Sequence, residues 1–281
     1  MQIFVLGMHR SGTSAVTRLI NMMGVYFGPE GSSIGFNDHN PKGYWERKDL
    51  LVLNRQLLNT RSCSWFDVSR WPVTDRPAPD PRLSHGMRAF VLDLDAHRPW
   101  LVKDPRLCIT LEDWLPALEA PLAVIVSRDP LEVARSLEQR ENIPIDYGIA
   151  LWEYYAVHTI RNAARMPRIF TTHEQIVTSP VAATRALYDG LKANDVRRIE
   201  LPADREILAF IEPKLHRARR ADVSASLTAH QLRIDSMMRG AEPLDAAVEV
   251  SDESRKLTVR DGPALKLKLN ALYQAAAATQ R

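Results

Sequence analysis

The segment Ile3–Ser14 reads IFVLGMHRSGTS. Its first residues, Ile3–Leu6, form an apolar run that predicts a short buried strand, and Ser11–Gly24 carries apolar side chains at helical spacing. Backbone N–H groups in a loop between a strand and a helix form a concave anion site, to which the helix N-terminus adds its positive end. The segment therefore predicts a phosphate loop.

The residue types in this loop indicate which phosphate ligands it suits. Gly7 and Gly12 let the chain turn tightly and approach a phosphate, and Thr13 and Ser14 add hydroxyl donors. In a Walker A loop, GxxxxGK[ST], a lysine would stand at Thr13, and an NTPase needs that lysine on the β- and γ-phosphates. The cation here is Arg10, so the loop favours a phosphate without a triphosphate tail. A degenerate Walker loop, or a glycine turn that binds nothing, is the alternative.

Three further apolar runs repeat the pattern of a strand followed by a helix. The predicted strands are Trp100–Val102, Leu122–Ser127 and Arg168–Thr171, and predicted helices include Leu83–Ala96, Thr110–Leu118, Leu131–Arg140, Asp146–Ala164 and Pro180–Leu191. Buried strands that alternate with amphipathic helices are typical of a parallel sheet covered on both faces. The sequence thus predicts the α/β class, with a P-loop-type parallel sheet flanked by helices on both faces.

The alternation of strands and helices fades after about Leu215. Helices are predicted at Leu227–Met238 and Leu265–Ala278, whereas the polar residues 241–260 indicate irregular structure. Neither an internal repeat nor a second core is evident. We therefore expect one domain over residues 1–281, with a core at about 1–215 and a mostly helical C-terminal extension at about 216–281.

Composition and charge exclude several classes of function. The 281 residues carry a formal net charge of +3, which suits an anionic ligand but is too weak to predict a nucleic-acid partner. Cys63 and Cys108 form no CxxC pair, so neither a disulfide framework nor a metal site is expected. No signal-peptide pattern is present, and no apolar run approaches the roughly 18 residues of a membrane span. We expect a cytoplasmic protein with no metal and no membrane span, and its oligomeric state is open.

A second candidate anion site lies in Leu122–Leu137, which reads LAVIVSRDPLEVARSL. Its strand ends at Arg128, and Asp129 is a suitable N-cap for a helix that carries Ser136 two turns further on. The guanidinium can fork onto a phosphate to which the serine also donates. A structural salt bridge would equally explain Arg128. Two phosphate sites at adjacent strand ends would suit a nucleotide phosphorylated at both its 3′ and 5′ positions.

Together these motifs resemble the sulfotransferase superfamily that uses 3′-phosphoadenosine 5′-phosphosulfate (PAPS), in particular bacterial members that begin GMHRSGTS. The resemblance covers roughly residues 3–195. The matching segments are GMHRSGTS at residues 7–14, NPKGYWE at 40–46, KDPR at 103–106, SRDPLEVARSL at 127–137 and HEQIVTSP at 173–180.

The resemblance implies transfer of a sulfuryl group from PAPS to a hydroxyl acceptor, without a metal. Arg10 would offset charge on the bridging oxygen, Lys103 would stabilise the transferring group, and Arg128 and Ser136 would hold the 3′-phosphate. The residues implied to hold the 5′-phosphosulfate are His9, Arg10, Ser11, Gly12, Thr13 and Ser14.

The resemblance also implies a base that removes the acceptor's proton. Glu46 is the first candidate, although the 35 residues between it and Arg10 are more than in many relatives, and a charge at a helix N-terminus would explain it equally. The competing candidates are Glu30, His39 and His9.

The acceptor and two other features stay open. A hydroxyl on a carbohydrate or secondary metabolite is favoured, with a phenol or a protein tyrosine as alternatives. Arg217–Arg220 would lie over the nucleotide or, more simply, on a solvated face. Residues Trp152–Tyr155 favour core packing over an acceptor pocket. The competing functions are a small-molecule kinase with a modified P-loop and a non-catalytic nucleotide-binding module.

Overall fold

A computed structural model describes residues 1–36, 42–72, 78–211 and 225–279 of the chain. Its sheet has four parallel strands in the order β2-β1-β3-β4, and all four lie where the sequence predicts them. The strands are β1 (Gln2–Leu6), β2 (Trp100–Lys103), β3 (Pro121–Ser127) and β4 (Arg168–Thr172). Because neighbouring strands run parallel, each connection must cross a face of the sheet, and helices make these crossings.

The helices surround this sheet. They are α1 (Thr13–Met22), α2 (Lys48–Asn59), α3 (Pro81–Asp95), α4 (Leu107–Trp114), α5 (Pro130–Glu141), α6 (Ile145–Ala163), α7 (His173–Thr178), α8 (Pro180–Ala193), α9 (Asp204–Phe210), α10 (Ala229–Met238) and α11 (Asp252–Thr279). A short 3-10 turn, Leu115–Ala117, ends α4. Among the described residues, no helix is both long and apolar enough to cross a bilayer.

Side chains alternate between the two faces of the sheet, so β1 contributes to two separate cores. Phe4 and Leu6 lie in a core formed with α2 to α6, α10 and α11. Ile3 and Val5 lie in the opposite core, formed with α1, α7, α8 and α9. The sheet is therefore buried on both faces, as continuous apolar strands require. This confirms the predicted α/β class with helices on both faces.

Helix α6 lies at the centre of the first core. Trp152, Tyr154 and Tyr155 are all buried there, and Tyr155 donates a hydrogen bond from its hydroxyl to the carbonyl oxygen of Trp65, at 2.7 Å. The expectation of core packing for this aromatic cluster is confirmed. The division into a core and a C-terminal extension stays a prediction, and Arg217–Arg220 lies outside the described residues.

The prediction of irregular structure across residues 241–260 is wrong at its C-terminal end, because α11 begins at Asp252. The reason is a tertiary contact with α6. The buried carboxylate of Glu153 accepts hydrogen bonds from the backbone N–H of Ser251 at 2.5 Å and from the hydroxyl of Ser254 at 2.7 Å. These bonds satisfy groups at the helix N-terminus that have no partner within the helix.

Candidate anion-binding site

The carboxyl ends of three neighbouring strands bring the predicted cations to one edge of the sheet. Lys103 is the last residue of β2, Arg128 follows β3, and the loop that carries Arg10 follows β1. The loop and Arg128 are in direct contact, because Nη1 of Arg128 donates to the carbonyl oxygen of Arg10 at 3.0 Å. Ligands of open α/β sheets bind at this edge, so the fold places these residues where a ligand is expected.

The glycines of the loop are required by contacts within the protein. Gly12 precedes α1 with φ +87°, and a Cβ there would lie 2.6 Å from Cδ2 of His173. A Cβ on Gly7 would lie 2.5 Å from the carbonyl oxygen of Val126. Gly12 needs glycine for both its positive φ and the close approach, whereas Gly7 needs it for the close approach alone. The loop therefore lies directly against β3 and α7. The first N–H groups of α1 have no acceptors within the helix.

The hydroxyl of Ser14, which was expected to donate to a phosphate, donates to the protein backbone instead. Its hydroxyl donates to the carbonyl oxygen of Tyr44 at 2.9 Å. The side chains of Ser11 and Thr13 are buried in the loop. The hydroxyl of Ser14 thus connects the phosphate loop to the segment that contains Glu46.

Arg10 is the central cation of the site. It adopts φ +71°, and its Nε donates to Oγ of Ser136 at 2.9 Å. Burial lowers the pKa of Arg10 to about 10, assisted by the positive charges of Arg140 and Arg128. Among the described residues, no carboxylate lies within ion-pair distance of its guanidinium. The charge of Glu141 acts on Arg10 only from a greater distance. A largely desolvated cation without a salt-bridge partner favours an anionic ligand.

The cations around Arg10 differ from it, because each of them has a carboxylate partner. The pairs are Lys103–Glu46 at 2.6 Å, Arg106–Asp104 at 2.8 Å, Arg128–Glu132 at 3.0 Å and Arg140–Glu141 at 3.0 Å. These charges are mutually compensated in the protein. The unmatched positive charge of the site is therefore concentrated on Arg10.

Glu46 and Lys103, which are 57 positions apart in the sequence, form a buried ion pair. Oε1 of Glu46 accepts from Nζ of Lys103, and the two side chains are 9% and 2% exposed. Oε2 of Glu46 has no hydrogen bond to another described residue. The residue lies two positions before α2, whose N-cap is Arg47. Its carboxylate is therefore directed at the sheet edge that carries the phosphate loop.

His9 is the neutral member of the site. Its ring packs on Trp65 with centroids 4.6 Å apart, and its buried Nε2 has no hydrogen-bond partner. Burial, followed by the positive charges of Arg106 and Lys103, holds the pKa of His9 well below its usual value. The imidazole is thus uncharged at neutral pH, and His9 adds no charge to the site.

The structure brings the predicted residues of the second anion site to the phosphate loop. Arg128 donates to the backbone of Arg10, and Ser136 accepts from its side chain. Arg128 also makes the salt bridge that is the alternative explanation for it, with Oε2 of Glu132. Of the competing base candidates, Glu30 is exposed, whereas His39 lies outside the described residues.

Three residues around this site, Arg140, Tyr44 and Arg106, were not predicted from the sequence as site residues. Arg140 donates from Nη2 to the hydroxyl of Tyr44 at 3.0 Å and lies close enough to Arg10 to lower its pKa. A signal for it was present, because Arg140 follows Ser136 by four residues and so shares its helix face. Tyr44 lies in the matched segment NPKGYWE, but no spacing singles out the tyrosine itself.

Arg106 is the third missed residue, and it belongs to a buried polar network behind the site. Asp104 accepts from its Nη1 at 2.8 Å and, through the other oxygen, from Nδ2 of Asn54 at 3.0 Å. Although burial opposes the charge, Asp104 holds the pKa of Arg106 above its usual value. The KDPR motif includes this pair, but only the fold reveals that Asn54 completes the network.

No protein-family model matches this sequence, and no curated protein is significantly similar to it. Two solved structures align over most of the chain. A sulfotransferase domain from the curacin biosynthetic pathway covers 92% of this chain and 96% of its own, with 14% identity and a TM-score of 0.46. A sulfotransferase domain from the olefin synthase of Synechococcus PCC 7002 covers 93% and 94%, with 16% identity and a TM-score of 0.41. At these TM-scores, function has to be inferred from the chain's own residues.

Proposed function

We propose that this chain is a sulfotransferase that takes a sulfuryl group from PAPS and transfers it to a hydroxyl acceptor. The observation that carries the proposal is the environment of Arg10, a partly buried guanidinium beside the N-terminus of α1 that forms no salt bridge with a carboxylate among the described residues. A phosphosulfate would supply the missing negative charge. In this proposal residues 1–281 form a single sulfotransferase domain in the cytoplasm.

The 5′-phosphosulfate would bind at the phosphate loop. The N–H groups at the start of α1 and the positive end of that helix attract an anion, and Arg10 adds a full charge. His9, which is neutral, would border the group without adding charge. The loop residues that would enclose the group are His9, Arg10, Ser11, Gly12, Thr13 and Ser14.

The 3′-phosphate would bind at Arg128 and Ser136. Both residues are in contact with Arg10, so the two phosphate positions would be adjacent rather than independent. A guanidinium and a hydroxyl are suitable donors for the oxygens of one phosphate. This arrangement would favour an adenosine that carries phosphate at both 3′ and 5′.

The transfer would proceed by in-line displacement. The acceptor oxygen forms a new bond to sulfur while the bond from sulfur to the bridging oxygen breaks, and that oxygen leaves with the electron pair as part of adenosine 3′,5′-bisphosphate. Arg10 and Lys103 would stabilise this developing charge, as preorganised cations do in a site that excludes water. Oε2 of Glu46 would accept the proton of the acceptor. The favoured acceptors are carbohydrate or secondary-metabolite hydroxyls.

A non-catalytic nucleotide-binding module is the second candidate. The observation that favours it is the Glu46–Lys103 ion pair at 2.6 Å, in which each proposed catalytic group already satisfies the other. A binding module would retain the unmatched charge on Arg10 but transfer no group. The two candidates therefore agree on binding and differ on turnover.

The experiment measures binding and transfer with the same protein preparations. Adenosine 3′,5′-bisphosphate binding is followed by calorimetry, and transfer of labelled sulfate from PAPS is screened across carbohydrate, phenol and peptide acceptors. We expect Arg10→Ala to weaken binding by at least about 100-fold, because a charged hydrogen bond in a buried site is lost. Arg185→Ala, which removes a half-exposed arginine from α8, is the matched control and should bind normally.

The results separate the candidates. Transfer by the wild type that is lost in Glu46→Gln, with binding retained, supports the sulfotransferase. Binding without transfer to any acceptor supports the module. Binding that is equally tight in Arg10→Ala contradicts both candidates.

A further inference from the structure

A carboxylate contacts the arginine of the proposed 3′-phosphate site. Glu132 and Ser136 are one turn apart on α5, so their side chains lie on the same face of the helix. Arg128 stands before the helix, and its Nε donates to Oε2 of Glu132 at 3.0 Å. Glu132 is therefore in contact with Arg128 and on the same helix face as Ser136, where its negative charge opposes an anion.

The pair is shielded from solvent, so its charges act strongly. The side chains of Arg128 and Glu132 are only 7% and 13% exposed. Electrostatic interactions in such surroundings are stronger than at an open surface, because the effective dielectric constant is lower. The charge of the Arg128 guanidinium is thus neutralised by Glu132. A phosphate that binds Arg128 would have to displace or tolerate this carboxylate.

Arg128 does not depend on Glu132 alone for its position. Its Nη1 also donates to the carbonyl oxygen of Arg10 at 3.0 Å, which ties the guanidinium to the phosphate loop. Loss of the charge at Glu132 therefore leaves a second anchor in place. A carboxylate beside an arginine can either orient the guanidinium or compete with a ligand for it. Because Arg128 has this second anchor, removal of the charge at Glu132 can distinguish the two roles.

We propose that Glu132 is a specificity-determining residue whose carboxylate competes with the nucleotide's 3′-phosphate for Arg128. The inference rests on the proposed function, because it assumes that an adenine nucleotide binds at this loop. The competition lowers affinity for a 3′-phosphorylated nucleotide and leaves affinity for a nucleotide with only a 5′-phosphate unchanged. In a sulfotransferase it would speed release of the doubly phosphorylated product, which carries the same 3′-phosphate as the donor.

The decisive variant is Glu132→Gln. Glutamine keeps an oxygen that accepts from Nε of Arg128 but removes the negative charge. We expect adenosine 3′,5′-bisphosphate to bind about tenfold more tightly, since the like charge beside the phosphate is gone. Adenosine 5′-monophosphate should bind with unchanged affinity, because it places no phosphate at this position.

A matched control exists on the same helix. Glu138 is also paired with an arginine of α5, Arg135, but both side chains are about a third exposed. Glu138→Gln makes the same change of charge away from Arg128. It should leave the affinity for both nucleotides unchanged, which excludes a general effect of the charge of α5.

A double-mutant cycle tests whether the effect passes through Arg128. Calorimetry measures both nucleotides with the wild type, Glu132→Gln, Arg128→Ala and the double variant, after circular dichroism has established that each is folded. We expect the gain from Glu132→Gln to disappear in the Arg128→Ala background. Weaker binding of the bisphosphate by Glu132→Gln would show that the carboxylate orients Arg128, and would overturn the inference. Equal binding by the wild type and Glu132→Gln would also overturn it.

If the proposed function is wrong, the nucleotide affinities of the variants differ from those expected if only the inference about Glu132 is wrong. If Arg10→Ala binds both nucleotides as tightly as the wild type does, the nucleotide is not held at this loop and the proposed function falls. If binding depends on Arg10 but the affinity ratio of the two nucleotides is insensitive to Glu132→Gln, only the inference about Glu132 is overturned.

Discussion

The guanidinium of Arg128 donates a hydrogen bond to the backbone carbonyl of Arg10, at 3.0 Å, and so joins the end of β3 to the phosphate loop. The donor and acceptor are 118 positions apart in the sequence. Arg10 in turn donates through Nε to Ser136 on α5. The loop, the strand end and the helix therefore form one connected unit, and disturbance of any of them should affect the others.

The first prediction concerns Gly12. In Gly12→Ala the backbone keeps a strained φ near +87° and the new methyl group meets the ring of His173 at 2.6 Å. We expect the free energy of unfolding to fall by roughly 3 kcal/mol, from backbone strain and overpacking together. Urea denaturation followed by circular dichroism measures this change.

Gly31→Ala is the matched control for Gly12. Gly31 has a similar φ of +79°, but nothing lies within 4 Å of a Cβ built there. Its substitution should lower the free energy of unfolding by only about 1 kcal/mol, from backbone strain alone. Equal losses for the two variants would mean that the contact of Gly12 with His173 does not constrain the loop.

The second prediction concerns the Glu46–Lys103 pair. Both side chains are buried, so Lys103→Met leaves the carboxylate without its counter-charge and should destabilise the protein by roughly 3 kcal/mol. The double variant Glu46→Gln, Lys103→Met should be less destabilised than the sum of the single variants, because no unpaired charge remains. Denaturant titration of the four proteins gives the coupling energy. Strict additivity would show that the ion pair does not form in solution.

The third prediction follows from the low pKa of His9. Because this pKa is lower in the folded protein than in the unfolded chain, the unfolded chain takes up the proton first as the pH falls. The free energy of unfolding should therefore decrease as the pH falls below about 6.5, by at most about 1.4 kcal/mol per pH unit. His9→Gln should remove this part of the pH dependence.

His85→Gln provides the comparison for His9, because His85 is exposed on α3. Thermal denaturation of the wild type and both variants between pH 5 and pH 8, roughly the range in which histidine titrates, measures the difference. A pH profile that is the same in His9→Gln and the wild type would contradict a buried, neutral imidazole beside the loop.

The fourth prediction concerns the attachment of α11. The carboxylate of Glu153 accepts hydrogen bonds from Ser251, Ser254 and Gln231. In Glu153→Gln the side-chain NH2 group would face at least one of these donors, and that hydrogen bond would be lost. We expect a loss of about 1–3 kcal/mol and faster amide hydrogen exchange in the first turns of α11. Glu249→Gln, an exposed carboxylate paired with Arg255, should change stability by about 0.5 kcal/mol or less. Unchanged exchange in Glu153→Gln would show that α11 is held by its apolar face alone.

The sheet could be predicted from the sequence because each strand is a continuous apolar run between polar segments. The run Leu122–Ser127, for example, matches β3 to within one residue. The first half of α11 could not, because its helix start depends on Glu153, far away in the sequence. Local periodicity carries no information about such a contact.

The sheet edge that carries the candidate residues was predictable from the sequence, but of the ion pairs Lys103–Glu46 and Arg128–Glu132 only the second was. The parallel topology alone places Arg10, Lys103 and Arg128 at one edge of the sheet. The partner of Lys103 is 57 positions away, so no local pattern indicates that Glu46 neutralises it. The partner of Arg128 is four residues away, and helical spacing does indicate it.

The most direct test of the proposed function is a crystal structure of the protein with adenosine 3′,5′-bisphosphate. We expect the 5′-phosphate within hydrogen-bond distance of the Arg10 guanidinium and of the N–H groups that begin α1. We expect the 3′-phosphate at Arg128 and Ser136. A nucleotide bound elsewhere, or one whose 5′-phosphate does not contact Arg10, would contradict the proposed function.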